Sequence, residues 1–234
     1  MGSRVKRDSI AKLDREVIAC AACPRLVAWR EEVGAKRKAA FRDFEYWAKP
    51  VPSLGGGDAG LLVLGLAPGA HGANRTGRPF TGDGAGPFLY EGLYDAGFSN
   101  QPTSVGRDDG LELVDARITN AVRCVPPANL PKPAETDECF PFLVRELELM
   151  KNVRVILCLG GLAWNVALRL YRELGIPVAR PKPKFGHAAE YDPGDGAPVM
   201  LASIHPSQLN TYTGRLTRPM FAKVMRRARA LIDA

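Results

Sequence analysis

Long apolar runs are absent from this sequence of 234 residues. No uninterrupted apolar stretch approaches the roughly 18 residues that a membrane-spanning helix needs. The opening residues, MGSRVKRDSI, include basic side chains but have no apolar segment behind them, so no secretory signal is visible. These absences argue against a membrane-embedded or exported protein, and we expect a cytoplasmic one.

Cysteine and histidine are also scarce, with five cysteines and three histidines. The number of cysteines is odd and the expected compartment is reducing, so we do not expect a disulfide framework. No internal repeat or low-complexity tract is evident. The hydrophobic share of 46% and the charged share of 24% are typical of a soluble globular protein, and the length fits a single domain.

Positive charge is in excess, because 32 lysines and arginines oppose 25 acidic residues and give a formal net charge of +7. A basic domain of this size is attracted to phosphate backbones. Many cytosolic proteins are mildly basic and bind nothing anionic, so the excess favours a polyanionic partner without establishing one.

Four apolar segments that read as buried strands alternate with helical patterns along the chain. The predicted strands are residues 61–66, 117–122, 153–159 and 199–204. The predicted helices are residues 9–19, 25–33, 86–96, 136–150, 162–174 and 218–232. Such alternation predicts a three-layer α/β/α fold around a central, mostly parallel four-stranded sheet.

The chemically unusual segments all follow predicted strands. A glycine-rich run begins at the end of the first strand, and NAVRCVPPAN continues the second. A pair of glycines follows the third strand, and HPSQLNTYTGRLT follows the last. Because ligands bind beyond the carboxyl ends of parallel strands, we expect a binding site at this edge of the sheet.

The glycine-rich run is GLAPGAHGANRTGRPFTGD, residues 65–83. Its five glycines allow the backbone to approach a ligand closely. A phosphate-binding loop is the obvious alternative, but the run lacks GxxxxGK[ST] and does not match GxGxxG. The run closely resembles the first motif of the family 5 uracil-DNA glycosylases, the UDGb type. This resemblance extends through PKPKFGH, residues 181–187, and HPSQLNTYTGRLT, residues 205–217, and it implies the uracil-DNA glycosylase-like form of the predicted fold.

The resemblance assigns roles within the first motif. Other enzymes of the superfamily carry an acidic or amide residue just before the proline, to position or activate water, whereas this chain has Ala67, a departure characteristic of family 5. Asp83 is then the best carboxylate to replace that group, although its place before a helix also suits a turn or an N-cap. Ala67 and Gly69 are expected to line the substrate site. Phe80 is expected to stack on the target base, a contact worth roughly 1–3 kcal/mol, unless it serves as a core anchor for the loop.

Two further strand ends carry polar residues with roles in the same family. Asn120 ends the second strand, and its amide matches the neighbouring N–H and C=O groups of uracil. His205 follows the last strand, where the superfamily places a histidine that donates a hydrogen bond to the departing base. A loop-stabilising role is the alternative for Asn120. His71 lies inside the first motif and is assigned no chemistry.

The loop after the last strand has the features of a DNA-binding segment. Leu209 is an apolar residue in a polar loop, and an apolar wedge can fill the gap that a flipped base leaves in the duplex. The alternative is a leucine folded back on the core. Arg215 and Arg218 nearby suit phosphate contacts.

Four of the five cysteines form two pairs. Cys20 and Cys23 form CAAC, and Cys124 and Cys139 are separated by fourteen residues, whereas Cys158 lies within an apolar strand and reads as inert. Four thiolates are enough for a zinc ion or a [4Fe–4S] cluster, and the spacing does not choose between them. Families 4 and 5 carry four cysteines in this arrangement around a [4Fe–4S] cluster, so the resemblance implies that cofactor, with a structural role.

The resemblance as a whole implies a monofunctional DNA glycosylase that flips uracil out of double-stranded DNA and hydrolyses its N-glycosidic bond. Family 5 enzymes resemble one another in accepting further bases, including hypoxanthine. No lysine is placed convincingly as a Schiff-base nucleophile, so no lyase step is expected, and no oligomerisation element is obvious, so we expect a monomer. The alternatives are a non-catalytic iron–sulfur protein that binds nucleic acid or senses redox state, and a hydrolase of small nucleotides.

Overall fold

Four buried five-residue strands form the centre of the fold in the computed structural model, which describes residues 8–234. A two-residue edge strand completes the sheet. In chain order the five strands are β1 (Leu61–Gly65), β2 (Ala116–Asn120), β3 (Val155–Leu159), β4 (Glu190–Tyr191) and β5 (Val199–Ser203). Their order across the sheet is β2-β1-β3-β5-β4. All neighbouring pairs are parallel except β4 with β5, which confirms the predicted mostly parallel sheet. The two-residue edge strand β4 was not predicted, because Glu190 and Tyr191 carry no apolar pattern.

Helices cover both faces of the sheet. They are α1 (Ile10–Ala19), α2 (Pro24–Lys36), α3 (Ala73–Thr76), α4 (Gly86–Asp95), α5 (Pro133–Leu149), α6 (Gly161–Glu173), α7 (Gln208–Tyr212) and α8 (Arg218–Asp233), with 3-10 turns at Ala39–Phe41 and Pro127–Asn129. Side chains alternate across a strand, so Leu61 and Val63 of β1 pack towards α4 and α8, whereas Leu62 and Leu64 pack towards α5 and α6. The three-layer fold is thus the predicted one.

Local sequence explains where several helices begin. Ser9 caps α1 by accepting a hydrogen bond from the backbone N of Lys12 at 3.3 Å, and Thr217 caps α8 in the same way. The helix predicted over 136–150 begins earlier, at Pro133, because proline is favoured in a first turn and the Glu135 carboxylate accepts the backbone N–H of Lys132 at 2.7 Å. Within residues 8–234, no helix is both long and apolar enough to cross a membrane.

A network of buried charges joins β2 to α5. Arg117 and Arg123 flank Glu146, and all three side chains are at most 3% exposed. Arg117 Nε donates to Glu146 Oε1 at 2.6 Å, and Arg123 Nη2 donates to Glu146 Oε2. Arg117 Nη2 also donates to Asp14 Oδ1 of α1 at 2.9 Å, so two carboxylates and two guanidinium groups connect α1 and α5 to β2 and the residues after it.

Candidate active site

An open cleft of about 850 Å³ lies at the carboxyl edge of the sheet. It is lined by all six residues for which the sequence predicts catalytic or substrate-binding roles: Ala67, Gly69, Phe80, Asp83, Asn120 and His205. These residues come from the ends of β1, β2 and β5, as expected for a parallel sheet. The cleft is also lined by residues that were given no role: Lys38, Phe41, His71, Asn129, Ser207 and Gln208.

Asn120 presents an unsatisfied amide oxygen at the cleft. The residue is 3% exposed, and among residues 8–234 its Oδ1 has no hydrogen-bond partner. Gly65 stands opposite Asn120 in the β1–β2 register, and a Cβ atom at position 65 would lie 2.4 Å from Asn120 Oδ1 and 2.8 Å from Phe80 Cζ. Because a buried acceptor without a donor costs about 1–3 kcal/mol, this oxygen is suited to receive an N–H group from a ligand.

Phe80 lies beside Asn120 with a left-handed backbone, at φ +50°. Its ring is 5.9 Å from the His205 ring, centroid to centroid, with an interplanar angle of 35°. A bulky residue rarely adopts a positive φ, and strained residues of this kind concentrate at functional sites. The ring is mostly buried against the core as well as lining the cleft, so both predicted roles of Phe80 fit its position.

A buried ion pair holds the turn that carries Phe80. Arg78 Nη1 donates to Asp109 Oδ1 at 2.7 Å, and Arg78 Nη2 donates to the Arg107 carbonyl at the same distance. Burial disfavours the charged carboxylate, but the hydrogen bonds from Arg78 and from the backbone outweigh it and lower the pKa of Asp109 to about 2. Tyr90 Oη donates a hydrogen bond to the Pro79 carbonyl at 2.7 Å. Sequence reasoning missed this support, since nothing in the spacing links Arg78 to Asp109.

Asp83 uses its two carboxylate oxygens differently. Oδ1 accepts the backbone N–H groups of Ala85 and Gly86 at 3.0 and 3.1 Å, which is the helix-capping role. Oδ2 lies towards Gly69 and Gly72, where a Cβ atom would approach it to 3.4 and 2.6 Å, and it accepts no hydrogen bond within the described residues. The alternatives of capping and chemistry therefore do not exclude each other, because one oxygen caps α4 and leaves the other for the cleft.

His205 is nearly enclosed at the end of β5. Burial lowers its pKa below the usual 6.5, and the negative charge of Asp83 opposes that shift more weakly. The imidazole is therefore neutral at pH 7 and carries one N–H donor. Its backbone is anchored because Asn210 Nδ2 donates to the His205 carbonyl at 2.9 Å.

His71 forms part of the same cleft. Its Nδ1 is 3.0 Å from Tyr46 Oη, and its ring stands 6.5 Å from that of Phe41. Burial, followed by the positive charges of Lys38 and Arg75, lowers the pKa of His71. A neutral imidazole here is held by Tyr46, a contact that the sequence did not indicate.

The predicted DNA-binding residues lie outside the cleft, on and after α7. Leu209 is 66% exposed, so the alternative of a leucine folded back on the core is wrong. Arg215 is exposed, whereas Arg218 forms an ion pair with Glu91 and lies 5.5 Å from the Phe88 ring. A phosphate would have to compete with Glu91 for Arg218, and the DNA contacts of these residues stay predictions.

The four paired cysteines line one pocket, together with Leu26, Val122 and Phe142. Burial raises the pKa of Cys23 and of Cys139 to about 11, with neighbouring thiols adding to the effect. Cys158 is separate, fully buried in β3. The convergence of the CAAC pair with Cys124 and Cys139 follows the predicted grouping, and in the part of the chain that the structure describes no three His, Cys, Asp or Glu side chains stand close enough to chelate one metal ion.

An aromatic ring, a buried amide oxygen and an imidazole converge at one edge of the sheet, and a cleft of this kind is suited to a flat heterocycle. The sequence model of the Uracil DNA glycosylase superfamily matches residues 52–229. The chain belongs to that superfamily, among its type-5 members.

Several curated relatives are similar over nearly the whole chain. A Type-5 uracil-DNA glycosylase of Mycobacterium bovis is 50% identical over 224 residues, which cover 95% of this chain and 82% of the relative. The Type-5 uracil-DNA glycosylase of Thermus thermophilus is 49% identical over 226 residues, which cover 94% of this chain and 99% of the relative. A Type-4 uracil-DNA glycosylase of Archaeoglobus fulgidus is 33% identical over 158 residues, which cover 67% of this chain and 70% of the relative.

Proposed function

We propose that this protein is a monofunctional DNA glycosylase that removes uracil from double-stranded DNA and leaves an abasic site. The observation that carries the proposal is the unpartnered Oδ1 of Asn120, buried beside the Phe80 ring and the neutral imidazole of His205. The names of the relatives support the same reaction. The net charge of +7 suits a polyanionic substrate, and repair of DNA is compatible with the cytoplasmic location that the sequence predicts.

In the proposed complex, uracil stacks on Phe80 and donates its ring N–H to Asn120 Oδ1. The glycosidic bond breaks with its electron pair going to the base, and the N–H of His205 stabilises the negative charge on a base carbonyl oxygen. Asp83 Oδ2 faces the positive charge that develops on the sugar. A water molecule then adds its oxygen to the sugar carbon, and one of its protons passes to the departing uracil anion. The products are neutral uracil and a sugar with a hydroxyl at that carbon.

The reaction is tested with duplex oligonucleotides that contain a U·G pair, incubated with protein and then treated with alkali. We expect strand breaks at the uracil position only after alkali, because a monofunctional enzyme leaves the backbone intact. No base release would contradict the proposal. Lys38 lines the cleft, so breaks without alkali that vanish in Lys38→Gln would show instead a lyase that uses this lysine.

The base range is proposed to extend beyond uracil to hypoxanthine and other deaminated or adducted bases. A cleft of about 850 Å³ lies near the upper end of volumes for drug-sized ligands, far more than one pyrimidine fills. Small residues, Ala67 and Gly69, line it beside Asp83. Release of hypoxanthine from the matched oligonucleotide tests this extension separately from the uracil reaction.

Changing Gly72 to alanine should slow base release roughly 100-fold, because a misplacement of about 1 Å at a reacting group can cost that much. The added Cβ would lie 2.6 Å from both Cβ and Oδ2 of Asp83, so the carboxylate must move. Single-turnover rates on the U·G duplex measure the effect. Gly106→Ala is the matched control, since no heavy atom lies within 4 Å of its new Cβ, and an equal loss in both variants would refute the explanation.

Cys20, Cys23, Cys124 and Cys139 are proposed to hold a [4Fe–4S] cluster with a structural role, pinning the N-terminal helices to the loop after β2. The four thiols line one common pocket, as a shared centre requires. Iron content together with visible charge-transfer absorbance would support the cluster; zinc alone would refute it.

At the DNA surface, Leu209 is proposed as the wedge that fills the gap left by the flipped base, with Arg215 and Arg218 at the phosphates. Its 66% exposure on α7, next to the cleft-lining Gln208, supports this role. Leu209→Ala should weaken release from a duplex more than release from a single strand, where no stacked gap needs filling. The protein is expected to act as a monomer.

A further inference from the structure

Arg30 of α2 is a buried arginine in contact with the cysteine pocket. The residue is 6% exposed, and its Nη1 donates to Cys124 Sγ at 3.1 Å and to the Cys20 carbonyl at 3.2 Å. One guanidinium group therefore holds two of the four predicted ligand residues, which come from distant parts of the chain. It joins the first cysteine pair to the second.

The charge of Arg30 has no carboxylate to balance it. Of the other buried arginines, Arg78, Arg117 and Arg123 each pair with an acid, whereas Arg75 donates to the carbonyls of His71 and Gly82 and lies over two phenylalanine rings. Within residues 8–234, Arg30 forms no ion pair, and its Nε is buried without a hydrogen-bond partner. An unpaired buried charge costs several kcal/mol, so a negatively charged group bound in the pocket that Arg30 lines would stabilise this arrangement.

We propose that Arg30 is a positioning residue for the cluster: its guanidinium balances the negative charge of the four-thiolate group and holds Cys124 and Cys20 in place around it. This inference rests on the proposed cofactor. A cluster bound by four thiolates carries net negative charge, and hydrogen bonds and charges near its sulfurs set its reduction potential. The backbone N–H of Arg123, which donates to Cys139 Sγ at 3.3 Å, supports the second sulfur in the same way.

Two consequences follow for a variant that lacks the guanidinium. The cluster should be lost faster, because removing a charge-assisted hydrogen bond to a thiolate weakens its attachment. Its reduction potential should also become more negative, because a reduced cluster carries more negative charge and gains most from a neighbouring cation. Loss of stability alone would not move the potential, so the second effect distinguishes a role towards the cluster from a merely structural one.

The experiment compares the wild type, Arg30→Met, Arg30→Lys and a control, Lys36→Met, which removes the same charge from an exposed site of the same helix. After anaerobic reconstitution, the measurements are iron and sulfide per protein, the rate at which visible absorbance decays with a chelator, and the midpoint potential by voltammetry. We expect roughly 10- to 100-fold faster decay and a more negative potential for Arg30→Met. Arg30→Lys should be intermediate, and Lys36→Met should match the wild type.

A wild-type decay rate and potential in Arg30→Met would overturn the inference. If that variant does not fold, Arg30→Lys is the deciding variant, because it keeps the charge but removes Nη1, the nitrogen that donates to both Cys124 Sγ and the Cys20 carbonyl. Unchanged decay and potential in Arg30→Lys would overturn the inference equally. Base release from the U·G duplex is followed in parallel. If the wild type assembles no cluster yet still releases uracil, the cofactor and this inference fail while the proposed reaction stands.

Discussion

Replacing His205 with alanine should slow uracil release by roughly 10²–10³-fold while leaving duplex binding largely intact. The imidazole acts on charge that develops only as the glycosidic bond breaks, so its loss falls on the chemical step and not on substrate binding. Single-turnover rates and equilibrium binding of an uncleavable duplex separate the two. His205→Asn, which keeps an N–H donor, should recover part of the rate; equal losses in rate and affinity for alanine would assign His205 to binding instead.

The pH dependence of the same variants tests the protonation state of His205. Burial holds its pKa below 6.5, so the neutral form predominates at pH 7 and the titration of His205 is centred below pH 6.5. Any change that its protonation causes must occur as the pH falls below 6.5, and His205→Ala should abolish it. A step in the wild-type rate between pH 7 and 8 that disappears in His205→Ala would contradict a neutral imidazole.

Replacing Glu146 with glutamine should lower the free energy of unfolding by about 3–5 kcal/mol, because two buried guanidinium groups lose their shared anion. For a chain of this length, such a loss corresponds to a fall of roughly 6–20 °C in Tm. Denaturant unfolding measures it. The control is Glu16→Gln, which breaks a surface pair with Arg145 and should cost far less stability, because solvent screens that pair. Equal costs for the two variants would show that the buried network contributes no more than a surface pair.

The contribution of Glu146 should also depend on pH. Burial opposes its ionisation, but the charges of Arg123 and Arg117 outweigh that effect and lower its pKa from 4.5 to about 2. A carboxylate with a lowered pKa contributes its full stability above its unfolded value, and the contribution is lost as the pH falls towards 2. The stability difference between wild type and Glu146→Gln should therefore shrink from pH 5 to pH 3. A difference that stays constant would contradict the ionised network.

The layered fold was predictable because its strands are continuous apolar runs buried on both faces. VRVILCL reads as a strand without ambiguity, and β3 is found at Val155–Leu159 within it. The short elements were missed, since α3 and α7 have four and five residues and cannot show a helical period. The position of α3 depends on tertiary hydrogen bonds, such as Asn74 Nδ2 to the Arg30 carbonyl at 3.3 Å.

The cleft residues were predictable as a group, because strand ends meet at one edge and the first motif resembles a known family. The residues that hold these cleft residues in place were not predictable. Arg117 lies in a strand with five buried residues, and a charge there signals a buried partner, yet nothing along the sequence names Glu146, 29 positions away. The different positions of the two Asp83 oxygens were also not predictable, because an aspartate before a helix has the same sequence pattern whether it caps the helix or takes part in catalysis.

The close approach at Gly65 has a consequence for protein engineering and evolution. A single methyl group there would occupy the space of the Asn120 amide oxygen and press on the Phe80 ring, so every side chain larger than hydrogen is excluded at once. In a saturation library selected for uracil release, position 65 should therefore return glycine alone. Substitutions that alter the range of accepted bases are therefore expected at cleft positions such as Ala67 and Gly69, and not at Gly65.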